Sequence, residues 1–343
     1  MSDQHALRFL GSQGDSVIQT PALDALASEG VSFNNCYCPS PLCVPSRMSF
    51  MTGRLPFENR VLTNHDSLSS NIPTFAHALG AAGYDCRLVG RMHFIGPDQL
   101  HGFAKRDFGD IGSIWPGGPP PDMGSMSNAR GNRAAELPQS GAGNTSYSRY
   151  DQLVLKRSLD IFDDLNTSYK QSGTPFCLVV GLFLPHPPFI SPKEIYDRYR
   201  GKTPKPSISK QRPTDPLSFD ATWYTACNFD SISADTQQLC AAAYYANVEL
   251  IDSLFGQLRS RLDESGIAED TVLVYTSDHG EQLGERGMWW KSTFYDQSTK
   301  IPLIMRYPKA FPTNHQIEGV ASLVDLTATL VDLGGTSLPD ISG

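Results

Sequence analysis

A chain of 343 residues with 28 basic and 36 acidic side chains and a formal net charge of -8 is long enough for one large α/β domain or two smaller ones. Acids and bases are interspersed without a basic run, which argues against nucleic acid as a partner, so any anionic ligand has to be met by a local cationic pocket. No stretch approaches the roughly 20 apolar residues that cross a bilayer, and the opening "MSDQHALRF" has neither the basic nor the apolar region of a secretory signal. The chain therefore reads as cytoplasmic, with no membrane partner.

In chain order, "TPALDALASEG" (20–30) predicts a surface helix, with Thr20 as N-cap, Pro21 at the first helical position, Leu23, Leu26 and Ala27 on one face, and Gly30 as the stop. "CPSPLCVPSRMSFMTGRLP" (38–56) sets Cys43, Ser46 and Arg47 at the start of a short helix that begins after Pro45 and is closed by Gly53. "IPTFAHALGAAGY" (72–84) predicts a helix ending at Gly83, and "DCRLVG" (85–90) a strand. A helix follows over about 148–165, then the continuous apolar run "PFCLVVGLFL" (175–184), as in buried parallel strands. Residues 235–265 form a long amphipathic helix, "DTVLVYTSD" (270–278) a second buried strand, "IPLIMRY" (301–307) another strand, and "SLVDLTATLVDLGG" (322–335) a helix stopped by paired glycines.

Alternating strands and helices imply an α/β fold, a mostly parallel central sheet with helices on both faces. Two long irregular stretches, 104–147 ("WPGGPPPDMGSMSN" within it) and 201–234, are long enough to be functional loops. The seven cysteines, at 36, 38, 43, 86, 177, 227 and 240, form an odd set without dense spacing, as reduced thiols do. A zinc site from Cys36, Cys38 and Cys43 lacks a CxxC pair and a fourth ligand. The glycosylation sequons at Asn144 and Asn166 occur at chance frequency.

Ligands of such sheets bind at the carboxyl ends of the strands, so the chemistry is sought there. "TSDHGEQLGERGMWWK" places Asp278 and His279 after one strand, with Lys291 beyond two tryptophans; the two can converge on a cation or serve as cap and surface residue. "GLFLPHPPF" holds His186 between prolines after a second strand, and "VGRMHF" places Arg91 and His93 after a third, alternating so that an extended backbone puts them on one face. Taken together, three histidines, the cations Arg47, Arg91 and Lys291, and acids for a metal describe a pocket for a tetrahedral oxyanion.

"CVPSRMSFMTGRLP" resembles the first signature of the sulfatase family, C-x-P-S-R followed by T-G-R, and "GYDCRLVGRMHF" its second. "TSDHGEQLGERGMWWK" is similar to that family's second metal motif, and "MHFIGPDQLHGF" with "GERGMWWK" points to the choline-sulfatase-like branch. The resemblance implies an alkaline phosphatase superfamily fold over 1–343 as a single catalytic domain, lacking a first strand and most of a C-terminal subdomain, with the first ligands on a free terminus. It implies conversion of Cys43 to formylglycine by a formylglycine-generating or sulfatase-maturating enzyme. One divalent metal is implied, Ca2+ first and Mn2+ or Mg2+ as alternatives, held by Asp3, Gln4, Cys43, Asp278 and His279.

By the same resemblance Arg47 orients the aldehyde hydrate, Arg91 and Lys291 bind the sulfate oxygens, His186 protonates the leaving alcohol and His93 assists breakdown of the sulfated hydrate, which expels sulfate and restores the aldehyde. Arg91 stands where the family usually has lysine, and 104–147 lacks the aromatic-rich segment of choline sulfatases, which turns the expectation toward another small-molecule sulfate ester. A phosphonate monoester hydrolase or phosphodiesterase, and a truncated inactive homologue, are the alternatives; a homo-oligomer is compatible with all three.

Overall fold

A computed structural model describes residues 1–111 and 134–343; the glycine- and proline-rich stretch 115–128 lies outside the described residues. The elements are α1 (Pro21–Glu29), β1 (Val31–Tyr37), α2 (Cys43–Thr52), α3 (Pro56–Asn59), α4 (Phe75–Ala81), β2 (Asp85–Gly90) and β3 (Lys105–Phe108). Beyond the undescribed stretch come β4 (Gly141–Ala142), α5 (Ser146–Ser172), β5 (Phe176–Gly181), β6 (Ile190–Ser191), α6 (Lys193–Tyr199) and α7 (Phe219–Ala226). The long α8 (Ala234–Glu264) leads to β7 (Leu273–Thr276), α9 (Asp296–Thr299), β8 (Leu303–Arg306), β9 (His315–Ser322) and α10 (Leu323–Leu333).

β3, β2 and β5 form a parallel three-stranded sheet, and β7, β8, β1 and β9 a four-stranded one in which β8 runs antiparallel to both neighbours. Residues 1–3 join the two: the Met1 carbonyl accepts from Leu182 N–H (2.9 Å), Ser2 N–H donates to Thr276 O (3.0 Å) and Asp3 N–H to Leu184 O (3.3 Å). The free terminus expected for the first ligands is thus corrected: Asp3 is pinned between the carboxyl ends of β5 and β7. Phe176–Val180 of β5 and Leu273–Val274 of β7, each on an edge of its sheet, are partly exposed, where fully buried strands were expected.

One apolar core lies under α2, α4 and α10 and a second between α1, α5 and α8, on the opposite faces of the sheets. Three local expectations change. Thr20 makes no cap bond; its hydroxyl accepts from Gly11 N–H, and the orphan amides of Ala22 and Leu23 are met by the Asp252 carboxylate of α8 at 3.1 and 2.8 Å. α2 begins at Cys43, two residues before Pro45 and with Leu42 as its flanking residue, so Cys43 stands in the first turn itself. α5 runs past 165 to Ser172, and the 201–234 stretch contains α7.

Candidate active site

β2 and β5 deliver their ends to the same place because glycines let them approach. Gly90, at φ 92°, and Gly181 are register partners, and a Cβ at Gly181 would lie 1.8 Å from Arg91 O. Arg91 N–H donates to Gly181 O at 2.8 Å. Beyond β5, Asp151 of α5 accepts from Phe183 and Leu184 N–H at 2.7 and 2.9 Å and fixes the turn that carries His186. Burial raises the Asp151 carboxyl to about 7 against the pull of those two donors. Past β7, Asp278 turns inward, its Oδ1 accepting from Gln4 N–H (3.0 Å) and His279 N–H (2.9 Å).

These ends bring Asp3, Cys43, Asp278 and His279 together, fully or almost fully buried, with one ligand atom of each within 4.8 Å of the others. Arg47, itself inaccessible, spans the two acids, with Nη2 donating to Asp3 Oδ2 (3.1 Å) and Nε to Asp278 Oδ2 (2.8 Å). Cys43 Sγ lies 3.1 Å from His279 Nε2 and 3.9 Å from Asp3 Oδ1. His279 Nδ1 faces the Gly280 carbonyl at 3.1 Å; a carbonyl only accepts, so Nδ1 carries the proton and Nε2 offers a lone pair.

A carboxylate oxygen of Asp3, the Nε2 lone pair and the position-43 side chain therefore face one point, a donor set that fits a divalent cation. Burial and Asp3 push the Cys43 thiol up, yet Lys291 and His279, the latter once Nε2 also takes a proton, outweigh them and it rests below its ordinary value; against burial, Asp278 and Cys43 in turn raise His279 above its own. Burial opposes ionisation of Asp3 too, but Arg91, His186 and Arg47 hold it well below the usual carboxylate range.

Gln4 is oriented by a residue absent from the expected set. Its Nε2 donates to Glu281 Oε2, and its Oε1 accepts from Lys291 Nζ at 2.5 Å. Glu281, fully buried, also accepts from Leu283 and Trp290 N–H, both at 2.7 Å. One carboxylate thus sets the direction of the Gln4 amide and the loop that presents Lys291; the signal was a glutamate two residues past His279 in "DHGEQ". Tyr244 of α8 braces the same segment, donating to Gln4 O (2.7 Å) and accepting from Ala6 N–H (3.1 Å).

Arg91 and His93 do meet, though not on an extended strand. His93 has a left-handed backbone (φ 58°), and Arg91 Nη2 reaches its Nδ1 at 2.8 Å. The Arg91 guanidinium lies 3.9 Å over the Phe183 ring. His186 is buried, with Nδ1 2.6 Å from the Pro187 carbonyl. Burial first, then Arg91 for His93 and Lys291 for His186, hold both imidazoles well below their ordinary value. Gln4 (φ 74°), Trp290 (φ 65°) and Ser292 (φ 78°) are left-handed as well, and such clustering of strained backbone is a mark of functional sites.

The sulfatase family model matches residues 1–336. The chain belongs to the sulfatase family. The chain is 34% identical to a choline-sulfatase of Rhizobium meliloti over 341 residues, covering 94% of the chain and 64% of that relative, so it spans about two thirds of the relative's length. Human iduronate 2-sulfatase is 27% identical over 380 residues, covering 96% of the chain and 67% of the relative. In fold it matches a phosphonate monoester hydrolase of Silicibacter pomeroyi with a TM-score of 0.78 at 24% identity, over 100% of this chain and 74% of that one. The alkaline phosphatase-like fold expected from the sequence is thereby shown.

Proposed function

We propose that this sulfatase hydrolyses a small-molecule sulfate ester to alcohol and sulfate, using formylglycine made from Cys43 by a maturation enzyme and one divalent metal, Ca2+ first and Mn2+ or Mg2+ as alternatives. The observation that carries the reading is the convergence of Asp3, Cys43, Asp278 and His279 beneath Arg47, Arg91 and Lys291. When present, formylglycine supplies the oxygen nucleophile and the metal lowers the pKa of an oxygen it binds.

Asp3, Asp278, His279 Nε2 and Gln4 Oε1 would hold the metal, with Arg47 balancing the two acids. Lys291 and Arg91 add the positive charge that draws a sulfate monoester in and stabilises charge developing on its oxygens. His186 carries its first proton on Nδ1, facing the Pro187 carbonyl. An anion entering beside it offsets Lys291 and favours a second proton on Nε2, which His186 then delivers to the leaving alcohol oxygen. A cytoplasmic setting and a homo-oligomer belong to the same reading, on sequence alone.

Turnover of 4-nitrophenyl sulfate against a phenylphosphonate monoester, by protein co-produced with a maturation enzyme, tests it. Preference for the sulfate supports the proposal. Preference for the phosphonate favours the second reading, which the Silicibacter pomeroyi fold neighbour motivates, and turnover of neither favours a non-catalytic homologue.

A further inference from the structure

Every nitrogen of the Arg91 guanidinium is engaged: Nε donates to Asp3 Oδ2 (2.5 Å), Nη1 to Asp110 Oδ1 (3.1 Å) and Nη2 faces His93 Nδ1 (2.8 Å). Arginine stays protonated and can only donate. His93 Nδ1 must therefore be the acceptor, and the proton of the neutral ring sits on Nε2. His186 is fixed the opposite way, because the Pro187 carbonyl beside its Nδ1 can only accept. The two histidines of the pocket thus present different faces, a donor on His93 Nε2 and a lone pair on His186 Nε2.

Asp110 holds this arrangement from two sides. Its side chain is 1% exposed, its Oδ1 accepts from Arg91 and from Ile111 N–H (2.9 Å), and its Oδ2 accepts from His93 N–H (2.9 Å), with Arg106 Nη2 at 3.7 Å. The bond to His93 N–H secures a left-handed backbone that a non-glycine residue seldom adopts. Where lysine would bring a compact charge with tetrahedral donors, the planar fork of arginine reaches Asp3, Asp110 and His93 at once.

We infer that Asp110 is a positioning residue: through Arg91 and the His93 backbone it keeps His93 a neutral imidazole protonated on Nε2, a hydrogen-bond donor to the oxygens of the bound anion. The identity of that anion rests on the sulfatase reading; the placement of the proton does not. A neutral imidazole in this role polarises the oxygen it faces without giving up its proton.

The test is a long-range 1H–15N correlation on the full 343-residue chain labelled at histidine, with His93 assigned by its loss in His93→Gln. The expected spectrum shows His93 protonated on Nε2, moving to a mixed or Nδ1-protonated ring in both Asp110→Asn and Arg91→Lys. In the turnover assay Asp110→Asn should lower kcat by about tenfold or more, the size seen for lost outer partners of catalytic groups, with a smaller change in KM. Nδ1 protonation in the parent, a tautomer unmoved in the variants, or an unchanged kcat in Asp110→Asn would each overturn the inference. If Asp110→Asn does not fold, Arg91→Lys, which keeps the charge, decides the tautomer. Because the spectrum needs no turnover, an Nε2-protonated His93 in a chain inert toward sulfate esters would sink the sulfatase reading and leave the positioning intact.

Discussion

At the scale of single residues, Arg47 is the counter-charge that lets two carboxylates be buried side by side. Removing one member of a buried ion pair leaves an uncompensated charge, at a cost of about 3–5 kcal/mol. Arg47→Ala should therefore lose stability of that order in denaturant melts without divalent cations, and regain part of it in millimolar Ca2+, which would take over the neutralisation of Asp3 and Asp278. An equal loss in both conditions would count against a cation between those acids. Glu281→Gln loses the charge that fixes the Gln4 amide and the Trp290 N–H. Calorimetric titration should show divalent-cation affinity falling by about 10–100-fold, and unchanged affinity would remove Gln4 from the metal set. The sequence motifs pointed to Cys43 with Arg47 and to Asp278 with His279 because each pair lies within one short motif; Glu281 and Asp110 escaped because their partners lie 277 and 19 positions away in the sequence.

At the scale of elements, the strands that carry the site are held by carboxylates on helices. Asp151 of α5 grips the turn after β5, as Asp252 of α8 grips the start of α1. An unfolded aspartate titrates near 4 (about 3.9 in peptides), whereas Asp151 titrates at about 7 in the fold. Between those values the folded chain keeps a proton the unfolded chain has lost, so this group makes stability fall as pH rises from about 4 to about 7, with no further loss above. Asp151→Asn should remove that slope, seen as a stability difference between parent and variant that changes from pH 5 to pH 8. Parallel curves would contradict it. Helix positions were legible in the sequence from caps and apolar spacing: α1, α8 and α10 fall within a residue or two of expectation. β1 and β9 were not, since "VSFNNCY" and "HQIEGVAS" mix polar residues into strands whose pairing is settled by distant partners. Cap chemistry at Thr20 misled for a related reason, because a carboxylate 232 residues away supplied the bond instead.

At the scale of the molecule, the carboxyl ends of β2, β5 and β7, the first residues of the chain and the first turn of α2 meet at one point, and each alone carries too little to bind an anion or a cation. Their meeting was legible in the sequence in so far as Arg91, His186 and Asp278 each follow a strand, since ligands of such sheets bind at the carboxyl ends of the strands; that Asp3 and Gln4 join them was implied only through the family resemblance. In the reading proposed above this meeting place holds an oxygen nucleophile at position 43, and the decisive measurement is the mass of the peptide containing Cys43, from cells with an active maturation system. The expected mass is that of the aldehyde, with the sulfur gone. An unmodified thiol in such cells would contradict it.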